Sequence, residues 1–326
     1  MVKDMTNGSP SKHILGFAVP MLFGMLFQQF YNLVDTIIVG KTLGVEALAG
    51  VGATGSINFM IIGFCMGVCN GFVIPVAQCF GAKKPADLRK YVFNGYICSI
   101  VFAIVLTLAS VIFCRRILII MNTPADIFQD AYKYIMIICA GIFTQVMYNL
   151  LAGILRALGN SKTPLYFLLF SAVLNIVLDL VLIIVFHLGA AGAAYATVIA
   201  QGVSALLCLV YIVKKVPILK LDRWDFKLDG HLVRQQLAIG FPMALQYSIT
   251  AIGAMMVQAA LNVLGSVHVA AFTAANKIEQ VATQVYVALG TTMATYCAQN
   301  MGAGKVKRIS RGFRATTIMG SIYSVV

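Results

Sequence analysis

Long apolar runs dominate this sequence and restrict the folds open to it. A helix that crosses the hydrocarbon core of a bilayer needs about 20 predominantly apolar residues. The chain offers several runs of that length, and 60% of its 326 residues are hydrophobic while only 11% are charged. A soluble domain has about 45–50% apolar and about 25% charged residues. The sequence therefore predicts an all-α membrane protein and excludes a soluble fold.

The apolar runs between polar breaks predict eight complete spans. They are Ile14–Val39, Val51–Cys79, Val92–Phe113, Tyr134–Leu155, Pro164–Phe186, Ala190–Val213, Leu237–Val263 and Val269–Ala298. The first run is too long for the core of a signal peptide, so we expect it to be retained. A ninth stretch begins near Phe313 and is too short to cross before Val326. We therefore expect a longer natural protein and an unstable or inactive 326-residue product.

The basic residues are distributed unevenly between the two sides of these spans. The N-terminus and every second loop hold 19 of the 24 Lys and Arg, whereas the opposite loops hold four. Because cytoplasmic loops of membrane proteins are rich in Lys and Arg, we expect a multi-pass protein of the inner (plasma) membrane with a cytoplasmic N-terminus. The net charge of +13 then reflects topology and contact with anionic membrane lipids, so no nucleic-acid partner is expected.

An internal repeat appears when the sequence is compared with itself at an offset of 221 residues. Gln78, Gly81 and Ala82 then match Gln299, Gly302 and Ala303, and Pro20 matches Pro242 after a one-residue gap. The repeat unit contains six spans, an even number, so both copies have the same orientation. We predict two six-helix lobes in parallel repeat around a central cavity, as in many secondary transporters. The boundaries are an N-lobe at 1–213, a cytoplasmic linker at 214–234 and an incomplete C-lobe at 235–326.

Two carboxylates inside the spans are the first candidates for function. Asp35 and Asp179 both lie roughly 9–12 Å below the outer end of their spans, at 1.5 Å per residue. Asn175 is four residues before Asp179 and shares its helical face, and Thr197 lies at a similar depth. A carboxylate in hydrocarbon costs at least ~2.5–3.5 kcal/mol, so such residues face a cavity or a partner. These oxygens predict a site for a proton or a small cation such as Na⁺, the alternative being that each Asp only bonds a neighbouring helix.

Other features of the spans have a structural alternative beside the functional one. Glu279 and Lys277 are a possible secondary transport pair or a structural pair. Pro20 removes a backbone donor from span 1 and favours a kink, either a hinge or a static bend. Gly63, Gly67 and Gly71 form a stripe of small residues typical of close helix packing. The sequence has no enzyme or nucleotide-binding motif, so we expect neither catalysis nor a cofactor.

Three motifs make the chain resemble the multidrug and toxic compound extrusion (MATE) transporters of prokaryotes. They are Asn32 through Gly40 with Leu48-Ala49, Pro75 through Ala82, and Gly153 through Pro164, whose Arg, Gly, Thr and Pro spacing is the most specific. The resemblance implies two lobes of six spans and efflux coupled to H⁺ or Na⁺. It also implies that Asp35, Asn175, Asp179 and Thr197 form the cation site with Tyr134 nearby, and that Pro20 is a bending point.

The leading hypothesis from the sequence is efflux of amphipathic or cationic small molecules, multidrug or xenobiotic compounds, in exchange for H⁺ or Na⁺. The chain departs from some sodium-coupled relatives at Thr250, where they have a glutamate. One alternative is a flippase for lipid-linked precursors, which needs several arginines facing a pyrophosphate. No arginine lies within the eight predicted spans. The other alternative is a truncated remnant that does not transport.

Overall fold

Helices make up the regular structure of this protein throughout the part that the structure describes. The computed structural model describes residues 3–121, 123–222, 225–263 and 266–325, with side chains except at positions 45, 46, 255, 258, 259, 261–271, 273, 274 and 277. In these ranges the helices are α1 (Pro10–Ala53), α2 (Gly55–Gly81), α3 (Pro85–Ile120), α4 (Phe128–Ala140), α5 (Ile142–Ala157), α6 (Lys162–Leu180), α7 (Ala190–Lys215), α8 (Gly230–Val263), α9 (Ser266–Gly302) and α10 (Val306–Val325). A π-helical turn, Val181–Val185, continues α6, and a 3₁₀ turn, Pro217–Leu219, follows α7.

The helices confirm a multi-pass membrane protein. Six helices of the described chain are long and apolar enough to cross a bilayer, and α4 with α5 makes a seventh if the bent pair is one span. Helix α9 occupies the eighth predicted span but is less apolar than the others, since it carries many Thr, Gln and Asn residues. Helix α10 begins at Val306, before the predicted ninth stretch.

Helix α1 differs from its predicted span in two ways. The segment after Val39, predicted as a loop, is helical to Ala53 and is interrupted only at Gly44, whose φ of 86° disfavours any residue with a Cβ. Around Pro20, by contrast, the backbone keeps helical φ and ψ. The interruption of α1 thus lies at Gly44, whereas the helix continues through Pro20.

The fourth predicted span is bent in the structure. Helices α4 and α5 meet at Gly141 at an angle of 46°. A Cβ at Gly141 would lie 2.3 Å from Val198 Cγ2 of α7. The bend therefore depends on the absence of a side chain, which lets α7 approach the junction of α4 and α5.

The glycine stripe of α2 lies against α8 and confirms the predicted close packing. A Cβ at Gly67 would lie 2.5 Å from the Ala244 Cα, and one at Gly71 would lie 2.2 Å from the Gly240 Cα. Real Cβ atoms do not approach backbone this closely, so the two helices touch backbone to backbone. The contact joins the first predicted lobe to the second.

The two copies of the repeat motif meet at one end of the bundle. A Cβ at Gly81 would lie 1.8 Å from the Gln299 carbonyl oxygen, and a Cβ at Gly302 would lie 1.9 Å from the Gln78 carbonyl oxygen. The repeat pairs Gly81 with Gly302 and Gln78 with Gln299, so each of these two contacts is the repeat-related copy of the other. The ends of α2 and α9 are therefore related by approximate two-fold symmetry. We call this end, with residues 3–9, 82–84, 214–222 and 303–305, the basic face.

The described parts of the two predicted lobes are in contact at the basic face. Gly55, at the opposite end of α2, has no neighbouring atom within 4 Å of an added Cβ. The described chain is thus closed at the basic face.

Candidate functional site

The structure brings the two membrane carboxylates together. Asp35 lies on α1 and Asp179 in the last turn of α6, two helices that pack against each other. Their carboxyl groups are close enough to interact electrostatically. Asp179 is fully buried and Asp35 is half-buried. Two carboxyl groups in this position cannot both be ionised at low cost in free energy. Either they share a proton or a cation lies between them.

The oxygens of this pair lack donors from the protein. Both carboxyl oxygens of Asp179 and Oδ1 of Asp35 are buried without a hydrogen-bond partner among the described residues, and so are both amide atoms of Asn175. Buried polar groups of folded proteins are nearly always paired, and an unpaired carboxylate is the costliest exception. The pair therefore has the chemistry of a site that binds a proton or a hard cation.

A small cavity beside the pair contains two of the other predicted residues. Asn175 and Thr197 line it together with Tyr31 and Gln201. Amide and hydroxyl oxygens are ligands suited to hard cations. The side chains of Asn175 and Thr197 thus add neutral oxygens next to the two carboxyl groups.

Two tyrosines complete the surroundings of the pair. Tyr134, on α4, is buried and lies close to Asp35, Asp179 and Tyr31. Tyr31 was not identified from the sequence, although it is four residues before Asp35 and therefore on the same face of α1. Its hydroxyl group is near both carboxyl groups and Gln201.

Gln201 is the second residue that sequence analysis missed. It is 6% exposed, and its Oε1 has no hydrogen-bond partner among the described residues. It lines the small cavity and a second, larger one, which lies between α2, the α4–α5 bend and α7 and also borders Asn58, Gln145 and Thr197. The spacing of four residues from Thr197 was the available signal, since it places Gln201 on the same face of α7.

A change of helix type follows directly after Asp179. Val181–Val185 form a π-helical turn, in which the amide of Phe186 donates to the carbonyl of Val181 at 3.1 Å. Such turns are rare and frequent at functional sites. The small residue Gly192 of α7 packs against this turn, where a Cβ would lie 3.2 Å from the Leu182 carbonyl carbon.

The remaining predicted residues lie elsewhere. Glu279 is exposed on α9, outside the carboxylate cluster, and the side chain of Lys277 lies outside the described residues. Pro20 is on α1 fifteen residues before Asp35. The described residues contain no group of three or more His, Cys, Asp or Glu side chains that could hold a metal ion. The chemistry of the site thus rests on the carboxylate pair and its neutral oxygen neighbours.

Comparisons with known proteins identify related transporters. The MatE family model matches residues 20–181 and 238–326. The "Probable multidrug resistance protein YpnP" of Bacillus subtilis is 30% identical over 94% of this chain and 68% of its own length. "Probable multidrug resistance protein YoeA" of the same organism is 31% identical over 91% of this chain and 66% of its own length. The chain therefore spans about two thirds of these relatives.

Solved structures have the same fold. A MOP superfamily transporter from Pyrococcus furiosus superposes with a TM-score of 0.93 at 25% identity, over 99% of this chain and 72% of that chain. A structure described as the outward-facing conformation of a multidrug resistance MATE family transporter gives a TM-score of 0.92 at 25% identity, with the same coverage. The family match covers both halves of the repeat, and the fold agrees over nearly the whole chain. This chain belongs to the MATE family of transporters.

Proposed function

We propose that this protein exports amphipathic or cationic small molecules, including multidrug substrates, in exchange for H⁺ or Na⁺. The observation that carries the proposal is the pair of neighbouring carboxyl groups, Asp35 and Asp179, whose buried oxygens have no hydrogen-bond donor among the described residues. A bound cation removes their repulsion, and its departure restores it. The names of the multidrug relatives support the substrate class.

The energy available from one coupling ion is sufficient for export. One charge moving through a driving force of about 150 mV releases ~3.5 kcal/mol, at ~2.3 kcal/mol per 100 mV. This free energy corresponds to a substrate gradient of roughly 300-fold, at 1.36 kcal/mol per factor of ten. A single carboxylate site can therefore drive useful efflux.

The proposal includes a location and partners. We place the protein in the inner (plasma) membrane with the basic face towards the cytoplasm, because Lys and Arg concentrate on cytoplasmic loops. Its partners are the transported small molecule and the surrounding lipids. The closed basic face then corresponds to a conformation in which the substrate cavity is sealed from the cytoplasm.

The lining of the cavities supports drug efflux over the flippase alternative. Neither of the two cavities beside the carboxylate pair has an arginine or lysine among its lining residues. Arg156 lies in the last turn of α5 and borders neither cavity. A pyrophosphate requires several such cations for its recognition, so these cavities fit a neutral or cationic molecule better.

Substitution of either carboxylate tests the proposed coupling. We expect Asp35→Asn and Asp179→Asn each to abolish gradient-driven efflux, because asparagine preserves shape but cannot cycle its charge. The assay is export of a fluorescent cation from vesicles with imposed pH or sodium gradients, using the product of the natural gene. Asp126→Asn is the matched control, since Asp126 is exposed and outside the predicted spans. Undiminished efflux in both site variants, with normal expression, would eliminate this pair as the coupling element.

A further inference from the structure

The segment before α1 crosses from one lobe to the other on the basic face. We call residues 3–9 the N-terminal strap. On the first-lobe side, the amide of Lys3 donates to the Leu158 carbonyl at 2.9 Å. Gly159, with φ of +79°, lies so close that a Cβ there would be 2.0 Å from the Lys3 carbonyl oxygen. The strap therefore begins in contact with the loop between α5 and α6.

The strap is then held by six hydrogen bonds from the second lobe. The amide of Met5 donates to Gln299 Oε1 at 3.0 Å, and the Met5 carbonyl accepts from Asn300 Nδ2 at 3.4 Å and from Arg308 Nη2 at 3.0 Å. Lys305 Nζ donates to the Thr6 carbonyl at 2.9 Å and to Asn7 Oδ1 at 2.8 Å. Arg308 Nη1 donates to the Gly8 carbonyl at 2.8 Å.

The side chains that hold the strap are themselves fixed in place. Gln299 is fully buried, and its Nε2 donates to the Ala157 carbonyl at the end of α5 at 2.8 Å. Arg308 Nε donates to Asn300 Oδ1 at 3.0 Å, and its guanidinium lies 5.9 Å from the centre of the Tyr296 ring. Met5 and Thr6 are almost completely buried by these contacts. This is an ordered interface, since several of its donors are charged and such hydrogen bonds are the stronger ones.

A second connection of the same kind precedes α8. The Asp229 amide donates to Asn94 Oδ1 at 2.9 Å, and Arg89 Nε pairs with Asp225 at 2.6 Å. Thus the segment that precedes the first helix of each lobe packs against the other lobe. The two connections differ in chemistry, because Arg89 of α3 binds carboxylates of the linker while Lys305 and Arg308 bind neutral carbonyl and amide oxygens of the strap. Within the described chain, neither Lys305 nor Arg308 has a carboxylate oxygen within 4 Å.

We propose that the N-terminal strap is a releasable lock that holds the basic face closed. The inference rests on the proposed function in one respect, that transport requires this face to open. Opening must separate the ends of α2 and α9, and the strap is bonded to both lobes. It must therefore leave Gln299, Lys305 and Arg308, because its covalent link to α1 and its contact with the α5–α6 loop hold it to the first lobe.

The test measures how often the closed face opens. Ala298, 5% exposed in the core between the lobes, is replaced by cysteine after the natural cysteines have been removed. The rate of its reaction with a maleimide is measured on purified protein in detergent, without substrate or ion gradient. Arg308→Ala removes the two hydrogen bonds that its guanidinium makes to the strap, so we expect labelling roughly tenfold faster. Lys307→Ala is the matched control, since Lys307 is exposed in the same helix and makes no bond to the strap.

A second variant separates the lock from other effects of Arg308. Deletion of residues 3–8 should accelerate labelling at least as much, because it removes all six hydrogen bonds from the second lobe. Combining the deletion with Arg308→Ala should add nothing further, because Arg308 then has no strap to bind. Unchanged labelling in the deletion variant, or additive effects in the combination, would overturn the proposal.

A measurement on the unaltered protein covers the case in which both variants unfold. The amide of Met5, bonded to Gln299, should then exchange hydrogen at the opening rate that the thiol at position 298 reports, whereas the amide of Lys3, bonded to Leu158 of the first lobe, should exchange more slowly. Exchange of the Met5 amide that does not follow this opening rate contradicts the lock. Because no step requires transport, failure of the lock is distinguishable from failure of the cation site.

Discussion

The reciprocal glycine contact at the basic face provides the sharpest test of how the lobes close. Gly81→Ala would place a Cβ 1.8 Å from the Gln299 carbonyl oxygen, and Gly302→Ala would place one 1.9 Å from the Gln78 carbonyl oxygen. Cβ contacts below 3.0 Å are essentially never found, so α2 and α9 must separate by more than about 1 Å. Overpacking of this kind costs ~1–3 kcal/mol. The ratio of closed to open forms should fall roughly 5- to 150-fold.

The assay reads closure from the helix opposite each substitution. A cysteine at Ala298 reports on Gly81→Ala, and a cysteine at Ala77 reports on Gly302→Ala; both alanines are buried. Gly55→Ala and Gly290→Ala are matched controls on the same two helices, because an added Cβ meets no atom within 4 Å. These two substitutions should leave the labelling rate unchanged. They create no steric clash, and they do not destabilise the helices, since alanine favours a helix by about 1 kcal/mol over glycine. Labelling of Gly81→Ala as slow as that of Gly55→Ala would refute the reasoning.

Two further predictions concern the linker and the topology. Burial alone would raise the pKa of Asp225, but the Asp222 amide and then Arg89 outweigh it and hold the pKa below its ordinary value. The carboxylate therefore stabilises linker docking above the ordinary Asp pKa of about 3.9, and this contribution is lost as pH falls through the lower pKa of the folded state. Hydrogen exchange of residues 225–229, corrected for its intrinsic pH dependence, should show the loss in the wild type but not in Asp225→Asn; identical profiles would contradict it. For the topology, a cysteine at Lys220 should react with an impermeant reagent only in inside-out vesicles, and labelling of intact cells would reverse the orientation.

The elements that the sequence predicted well are those fixed by local patterns. Apolar length predicts the helices, and the spacing of Gly63, Gly67 and Gly71 predicts a close approach that the structure shows against α8. The positions of Asp35 and Asp179 along their spans predict that the two residues lie at the same depth in the membrane. In each case the information lies within one helix, because period and rise determine which residues share a face or a level.

The features that were not predicted depend on contacts between helices. The bend at Gly141 depends on a close contact with Val198 of α7. The break at Gly44 requires a positive φ, which the neighbouring residues in the sequence do not predict. Tyr31 and Gln201 were overlooked because a tyrosine and a glutamine are common in ordinary spans. Their significance lies in the cavity that α1, α6 and α7 enclose. The sequence does not predict the strap, since its bonds are made mostly by backbone groups that carry no side-chain signature.

Helix α1 connects these separate features mechanically. Near its start, Ile14 and Phe17 pack against Leu289 and Tyr296 of the second lobe, in one cluster with Met5 of the strap. Further along, Asp35 faces Asp179 on α6 of the first lobe. A change of charge at the proposed cation site therefore acts on the helix that also carries the strap and contacts the opposite lobe. If antiport operates through this pair, repulsion between the carboxylates pushes α1 away from α6, and the displacement reaches the basic face through a helix that stays continuous from Pro10 through Pro20 to Leu43. Coupling between ion and lobe closure then requires no relay of side chains, because one rigid element contacts all three places.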